Sequence, residues 1–231
     1  ENHLSCPKCG KSNFTKVRKF NLLFETKLGI VEESKSQLYL RGEIAQGIFM
    51  NFKNILNTMR VRLPFGIAQQ GKAYRNEITM GQAIYRTLEF DLMEFEYFIR
   101  KEDWEKVYAF WQEEIWKFAV LIGLNTEKLR WREHEEFERS HYSSKTMDLE
   151  YNLPFGWKEV FALAYRSDYD LRNHMQHSGK DLNYLDPQTH EKFIPHVIEP
   201  TFGLSRLVLV AIINSFRQDE FNGKKRLYLA L

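Results

Sequence analysis

GIAQQGKAYRNEIT, residues 66–79, begins like a strand built for close packing and then turns to charge at Arg75, Asn76 and Glu77. Successive strand residues face opposite ways, so Arg75 and Glu77 share a face with Gly71 and Ala73. A cation and an anion beside positions cleared of bulk have two readings. They form a surface ion pair, the ordinary fate of exposed charge, or they line a binding cleft.

Working outward, residues 65–78 and 83–99 read as two antiparallel strands around the polar loop Thr79-Met80-Gly81-Gln82. In the second strand Met93, Phe95, Tyr97 and Ile99 share one face. Glu94 and Glu96 share the other, roughly 7 Å apart. Leu92 and Phe98 flank these acids, which points to a partly enclosed cleft rather than a solvent face.

Ala45 to Met59 reads as a helix with an apolar stripe of Ile48, Phe49, Phe52, Ile55 and Leu56. Asp103 can cap a second helix carrying Trp104, Val107, Trp111, Ile115, Phe118 and Ile122, a core stripe that ends at Gly123. A strand pair covers 145–165 around LPFGW. HVIEPTFGLSRLVLVAIINSF, residues 196–216, reads as a short strand, a turn at Pro200 and a helix apolar nearly all round, hence buried. Arg206 in its first turn then needs a partner. FNLLF at 20–24 is the strand-like part of an irregular first 36 residues. The expected fold is α+β, an antiparallel sheet with helices on one side.

The chain has 231 residues, with Lys and Arg totalling 33 and Asp and Glu 31. That balance disfavours nucleic-acid binding by bulk charge. No run is long and apolar enough for a bilayer, and no signal-peptide pattern opens the chain. It starts at Glu1, so upstream material is expected. Cys6 and Cys9 in CPKC make half a zinc knuckle; His3 could be a third ligand, but a structural zinc wants four. A residual knuckle is the expectation, and two thiols without a disulfide framework suit a reducing, cytoplasmic compartment.

Arg75, Arg86 and Arg206 sit at element ends or within apolar runs. Guanidinium groups suit phosphate oxygens and aromatic faces, and Phe90, four residues after Arg86 on the same strand face, could supply a ring. Glu43, Glu94, Glu159 and Glu199 stand in mostly apolar surroundings and could bind an ammonium group or Mg²⁺. No Walker loop or dinucleotide fingerprint appears, nor a Ser-His-Asp or Cys-His arrangement. His134, His141, His174 and His177 read as surface residues. Such a site can work by positioning two substrates and stabilising phosphorus charge.

Seven blocks then follow one another in register: RGEIAQGIFMNFKNILNT, PFGIAQQGKAYRNEIT, YRTLEFDLMEFEYF, LRWREHE, YNLPFGWKEV, RSDYDLRNHMQHSGKDLNYLDP and VIEPTFGLSRL. In order and spacing they resemble the catalytic domain of the glycyl-tRNA synthetase family, within the class II aminoacyl-tRNA synthetases. The resemblance implies a mostly antiparallel class II sheet flanked by helices. It divides the chain into residues 1–36 with the partial knuckle and a catalytic domain over 37–231, with motif 2 at about 65–99 and motif 3 at about 197–216. The motif 1 region and the C-terminal anticodon-binding domain are expected to lie outside this chain.

It also implies roles. Arg75 and Arg206 would be catalytic. The ATP site would comprise Arg75, Asn76, Glu77, Tyr85, Arg86, Thr87, Phe90, Glu159, Val160, Gly203 and Arg206, with Phe90 and Arg206 on opposite sides of adenine and Glu159 holding Mg²⁺. Glu43, Glu94, Glu199 and Thr201 would enclose glycine. The implied partners are glycine, ATP, the acceptor end of tRNA(Gly) guided by residues 79–82, and a second copy of the full-length protein, with no membrane. Gly42 and Ile44 replace the family's usual Pro and Thr, Leu88 a common Arg, and Thr201 a common Ser. These departures motivate a rival reading, a synthetase-like paralogue that binds nucleotide or RNA without charging tRNA.

Overall fold

The computed structural model describes residues 5–14, 16 and 18–230; His3 lies outside them. The chain runs β1 (Glu25–Leu28), β2 (Ser36–Tyr39), α1 (Ala45–Met59), β3 (Phe65–Tyr74), β4 (Glu89–Ile99), α2 (Trp104–Leu121) and β5 (Leu129–Glu133). It continues through β6 (Lys145–Leu153), β7 (Gly156–Ser167), α3 (Tyr169–Ser178), β8 (Tyr184–Leu185), β9 (Lys192–Phe193) and β10 (His196–Gly203). The last elements are α4 (Leu204–Ser215), β11 (Phe216–Phe221) and β12 (Lys224–Leu229).

Six strands form one antiparallel sheet in the order β3-β4-β10-β7-β6-β5. Alternation along β4 sorts its two faces. Tyr97 and Phe95 pack on Trp111 of α2, while Phe98 packs on Phe49 and Phe52 of α1. Helices therefore cover both faces, not one side as the element order suggests. The α2 face is the larger core, joined by Leu207, Leu209, Val210 and Ile213 of α4. The opposite face is shared between α1, α3 and an open cleft.

Both ends of the expected hairpin differ from the pattern. Strand β3 stops at Tyr74 because the chain leaves the sheet, with the Arg75 N–H donating to Leu88 O and the Asn76 N–H to Leu22 O. Residues 83–85 form a 3-10 turn entered through positive φ at Gln82 and Ala83, so β4 begins only at Glu89. Arg75, Glu77 and Arg86 thus sit on a loop rather than on strand faces. The smallness of Gly71 serves packing: a Cβ there would lie 2.9 Å from Arg41 Nη2, whose Nε donates to Lys72 O.

Other expectations shift for local reasons. Pro200 does not turn the chain; β10 runs through it. The β4–β10 ladder pairs Ile198 with Tyr97 and resumes at Thr201 with Glu94, so the missing proline N–H falls in a break in that ladder. Helix α4 is buried along one side only, with Val208 and Ile212 exposed. Asp103 makes no capping bond, since a 3-10 turn over Lys101–Asp103 precedes α2. FNLLF is not a strand; the first hairpin pairs β1 with β2 just after it. The terminal hairpin β11–β12 has no counterpart in the sequence reading.

No helix among the described residues is long and apolar enough to cross a membrane. Cys6 and Cys9 are free thiols in a tight turn closed by the Gly10 N–H on Cys6 O.

Candidate active site

The cleft on the α1 and α3 face opens between loop 75–88, the segment after β5, and the facing sides of β4, β7 and β10, with the first turn of α4 at its rim. Its open volume, mouth included, is about 1130 Å³, room for two substrates side by side. Of the residues assigned from sequence to ATP and glycine, all but Asn76 and Val160 line it; residues 79–82 do not. Val160 points into the core at 0% exposure. The Asn76 side chain donates to Asn21 O and so secures the N-terminal segment instead.

One end is acidic. Glu94 and Glu199 are 3% and 5% exposed on adjacent central strands, and Glu43 stands just before α1. Glu94 Oε2 accepts the Ile44 N–H at 3.1 Å. Burial first, then the charges of Glu199 and Glu43, push the Glu94 carboxyl up to about 8. Burial likewise raises Glu199 against the pull of Arg166. Behind them Glu96 is wholly buried, with no hydrogen-bond partner on either oxygen. Burial, with the charge of Glu199 added to it, holds its carboxyl far above the usual range. Carboxylates crowded this way, with Arg166 the cation among them, are suited to receive a further cation such as an ammonium group.

The other end carries guanidinium groups. Arg75 Nε donates to Gly42 O at 3.1 Å, and its Cζ lies 5.5 Å from the Phe90 ring centre. Arg86 Nη1 pairs with Glu77 Oε2 at 3.0 Å. Arg206 Nη1 pairs with Glu159 Oε2 at 2.9 Å, so the buried-cation partner sought from the sequence is Glu159. Its Cζ lies 4.5 Å from the Tyr85 ring centre. The Tyr85 hydroxyl donates to Glu159 O at 3.0 Å, which braces that wall. Gly203 leaves space for the arginine stem, since a Cβ there would lie 3.2 Å from Arg206 Cδ.

No family model matches the chain. It is 49% identical over 231 residues to a glycine-tRNA ligase of Caldanaerobacter subterraneus subsp. tengcongensis, a match covering 100% of this chain and 50% of that protein. It is 49% identical over 223 residues to that of Clostridium acetobutylicum, covering 96% of this chain and 48% of the relative. For Geobacillus thermodenitrificans the figures are 48% over 220 residues, 95% and 47%. The chain is a relative of the glycine-tRNA ligases. It spans about half the length of the curated relatives it matches. In fold it is similar to a Giardia lamblia prolyl-tRNA synthetase solved in complex with prolyl-adenylate, with a TM-score of 0.64 and 16% identity over 83% of this chain and 37% of that one. The fold is that of a class II aminoacyl-tRNA synthetase catalytic domain.

Within this ligase-like fold several groups in or beneath the cavity escaped the sequence reading. Arg166, 1% exposed, donates Nη1 to Glu199 Oε1 at 2.8 Å and grips both oxygens of Asp170 at 2.7 and 2.8 Å. Tyr142 covers it, 3.8 Å from ring centre to Cζ. Two of the four histidines assigned to the surface are not there. His134 lines the cavity with Nε2 2.7 Å from Asp148 Oδ2, and His174 packs on Phe49. Asp148 is pushed up to about 6, by burial first and then by Glu159. The signal for Arg166 was visible as a charge ending the apolar run VFALAY, with Asp170 four residues on.

Among the described residues no group of three or more His, Cys, Asp or Glu side chains forms a metal cluster. Mg²⁺, however, needs only one or two carboxylates when substrate phosphates complete its shell. Asp148 and Glu159, two cavity-lining oxygen donors close enough for Glu159 to raise the Asp148 carboxyl, fit that requirement.

Proposed function

We propose that this chain carries the glycine-activating centre of a glycyl-tRNA synthetase. The observation supporting this most strongly is the two-ended cavity, acids at one end and guanidinium groups at the other, on a synthetase fold. Glu43, Glu94 and Glu199 receive the ammonium group of glycine, with Thr201 closing the space beside its α-carbon. Arg75 binds the α-phosphate of ATP, Phe90 and Arg206 flank the adenine, and Glu77, Arg86 and Thr87 complete the nucleotide pocket.

Glycine's carboxylate oxygen attacks the α-phosphorus in line. The bond from that phosphorus to the bridging oxygen breaks, pyrophosphate leaves and glycyl-adenylate forms. Charge gathers on the phosphate oxygens, and Arg75 meets it there, an interaction strongest in the transition state. Asp148 and Glu159 would hold Mg²⁺, which when bound neutralises phosphate charge. A hydroxyl of the terminal adenosine of tRNA(Gly), guided by residues 79–82, then attacks the glycyl carbonyl and AMP departs. The full-length protein acts as a cytoplasmic homodimer in this reading.

Glycine-dependent exchange of labelled pyrophosphate into ATP tests it. Exchange that requires glycine and disappears in Arg75→Ala supports the ligase. A folded chain without glycine-dependent exchange would instead be the nucleotide- or RNA-binding paralogue.

A further inference from the structure

Each acid of the ammonium pocket has its own fixing donor. Glu94 takes the Ile44 N–H and Glu199 takes Arg166. Glu43 lies outside any helix or strand, where a side chain has most freedom, and its donor is Gln46 in the first turn of α1.

The Gln46 amide is spent completely. Its Nε2 donates to Glu43 Oε1 at 2.7 Å and to Asp170 Oδ1 at 3.1 Å, while its Oε1 lies 2.7 Å from His174 Nε2. Two carboxylate acceptors on one side require the amide nitrogen there, so the carbonyl faces the histidine. His174 must then carry a proton on Nε2. Asp170 and His174 are one turn apart on α3 and share a face. Neither can drift, since Arg166 grips Asp170 and His174 packs at 6.0 Å from the Phe49 ring.

We infer that Gln46 is a positioning residue for glycine: held between Asp170 and His174, it fixes the Glu43 carboxylate at one wall of the cavity to receive the substrate ammonium group. This rests on the glycine-activating reading. Displacing a binding group by about 1 Å can cost on the order of 100-fold, and among the described residues the Gln46 side chain makes no hydrogen bond to a group of the nucleotide end.

The test is pyrophosphate exchange by the full chain with glycine and ATP varied separately, in wild type, Gln46→Met, His174→Phe and His174→Gln. Gln46→Met keeps a helix-compatible side chain of similar length and should raise the glycine KM about tenfold or more, leaving the ATP KM within about twofold. His174→Phe keeps the ring packing and should share part of that loss, while His174→Gln, which still donates, should recover it. A structural role alone would not separate the two KM values. ¹⁵N NMR should find His174 as the Nε2–H tautomer in wild type and released from it in Gln46→Met, a readout independent of turnover. A wild-type chain inert toward glycine overturns the ligase reading before any variant is made. A glycine KM that stays put in a folded Gln46→Met chain, or rises together with that for ATP, overturns the assignment to Gln46 while the ligase reading stands.

Discussion

Arg166 donates to Glu199 at 2.8 Å in a pair with almost no solvent contact, 1% and 6% exposed at the side chains. The same guanidinium holds Asp170, so one cation balances two carboxylates beneath the cavity. Removing one partner of such a pair costs about 3–5 kcal/mol, because the charge left behind is buried without compensation. Arg166→Leu should therefore lower the melting temperature by roughly 10 °C. Calorimetry checks this; an unchanged transition would mean the pair contributes nothing to the fold.

Glu94 gives a pH signature. Its carboxyl is raised to about 8, chiefly by burial. A carboxyl raised in the folded state binds protons that the unfolded chain has lost, so its stabilising contribution is complete below the unfolded value and is lost as pH rises through 8. The ligand-free chain should lose stability between about pH 5 and 8, and Glu94→Gln should flatten that slope. The glycine KM should fall over the same interval, since the carboxylate is the form that attracts ammonium. Denaturant titrations at several pH values decide the first point, and a Glu94→Gln chain with the wild-type slope would refute it.

Arg206 reaches the cavity from the first turn of α4 and is braced by Glu159 and Tyr85. Arg206→Met preserves most of the stem and removes the charge and flat face. Its kcat/KM for ATP should fall by about 10²–10³ with the glycine KM little changed. Steady-state exchange kinetics measure both, and a selective effect on glycine would contradict the placement of the nucleotide.

Thr201 pairs with Glu94 across the β4–β10 ladder, so its side chain sits at the acid end. Thr201→Gly should relax discrimination against alanine by about 1–3 kcal/mol, the usual value of a methylene-sized space. Alanine-dependent exchange should become measurable; glycine-only activation in the widened pocket would show that Thr201 is not what excludes the larger substrate.

Much of this was legible in the chain because periodicity survives where packing is regular. Ala45–Met59 emerges with the limits that its stripe implies, and the acids of β4 betray an enclosed face through Leu92 and Phe98. Residues 75–78 and 83–88, on either side of the correctly read loop 79–82, were misread as strand because they have strand-like character, while backbone bonds to Leu22 and Leu88 that no local pattern encodes hold them outside the sheet. Arg166, Asp170, Gln46 and His174 were missed for a similar reason. Arg166 stands out only as a charge ending an apolar run, the other three look ordinary along the sequence, and all four acquire meaning only when α1, α3, β7 and β10 meet.

The most direct measurement is the affinity of a non-hydrolysable glycyl-adenylate analogue by calorimetry, against ATP and glycine alone. If one cavity holds both substrates in reacting contact, the analogue should bind at least 100-fold more tightly than either, and Arg75→Ala should abolish most of that gain. An analogue that binds no better than ATP, and is indifferent to Arg75, would mean the acid and guanidinium ends do not serve one reaction.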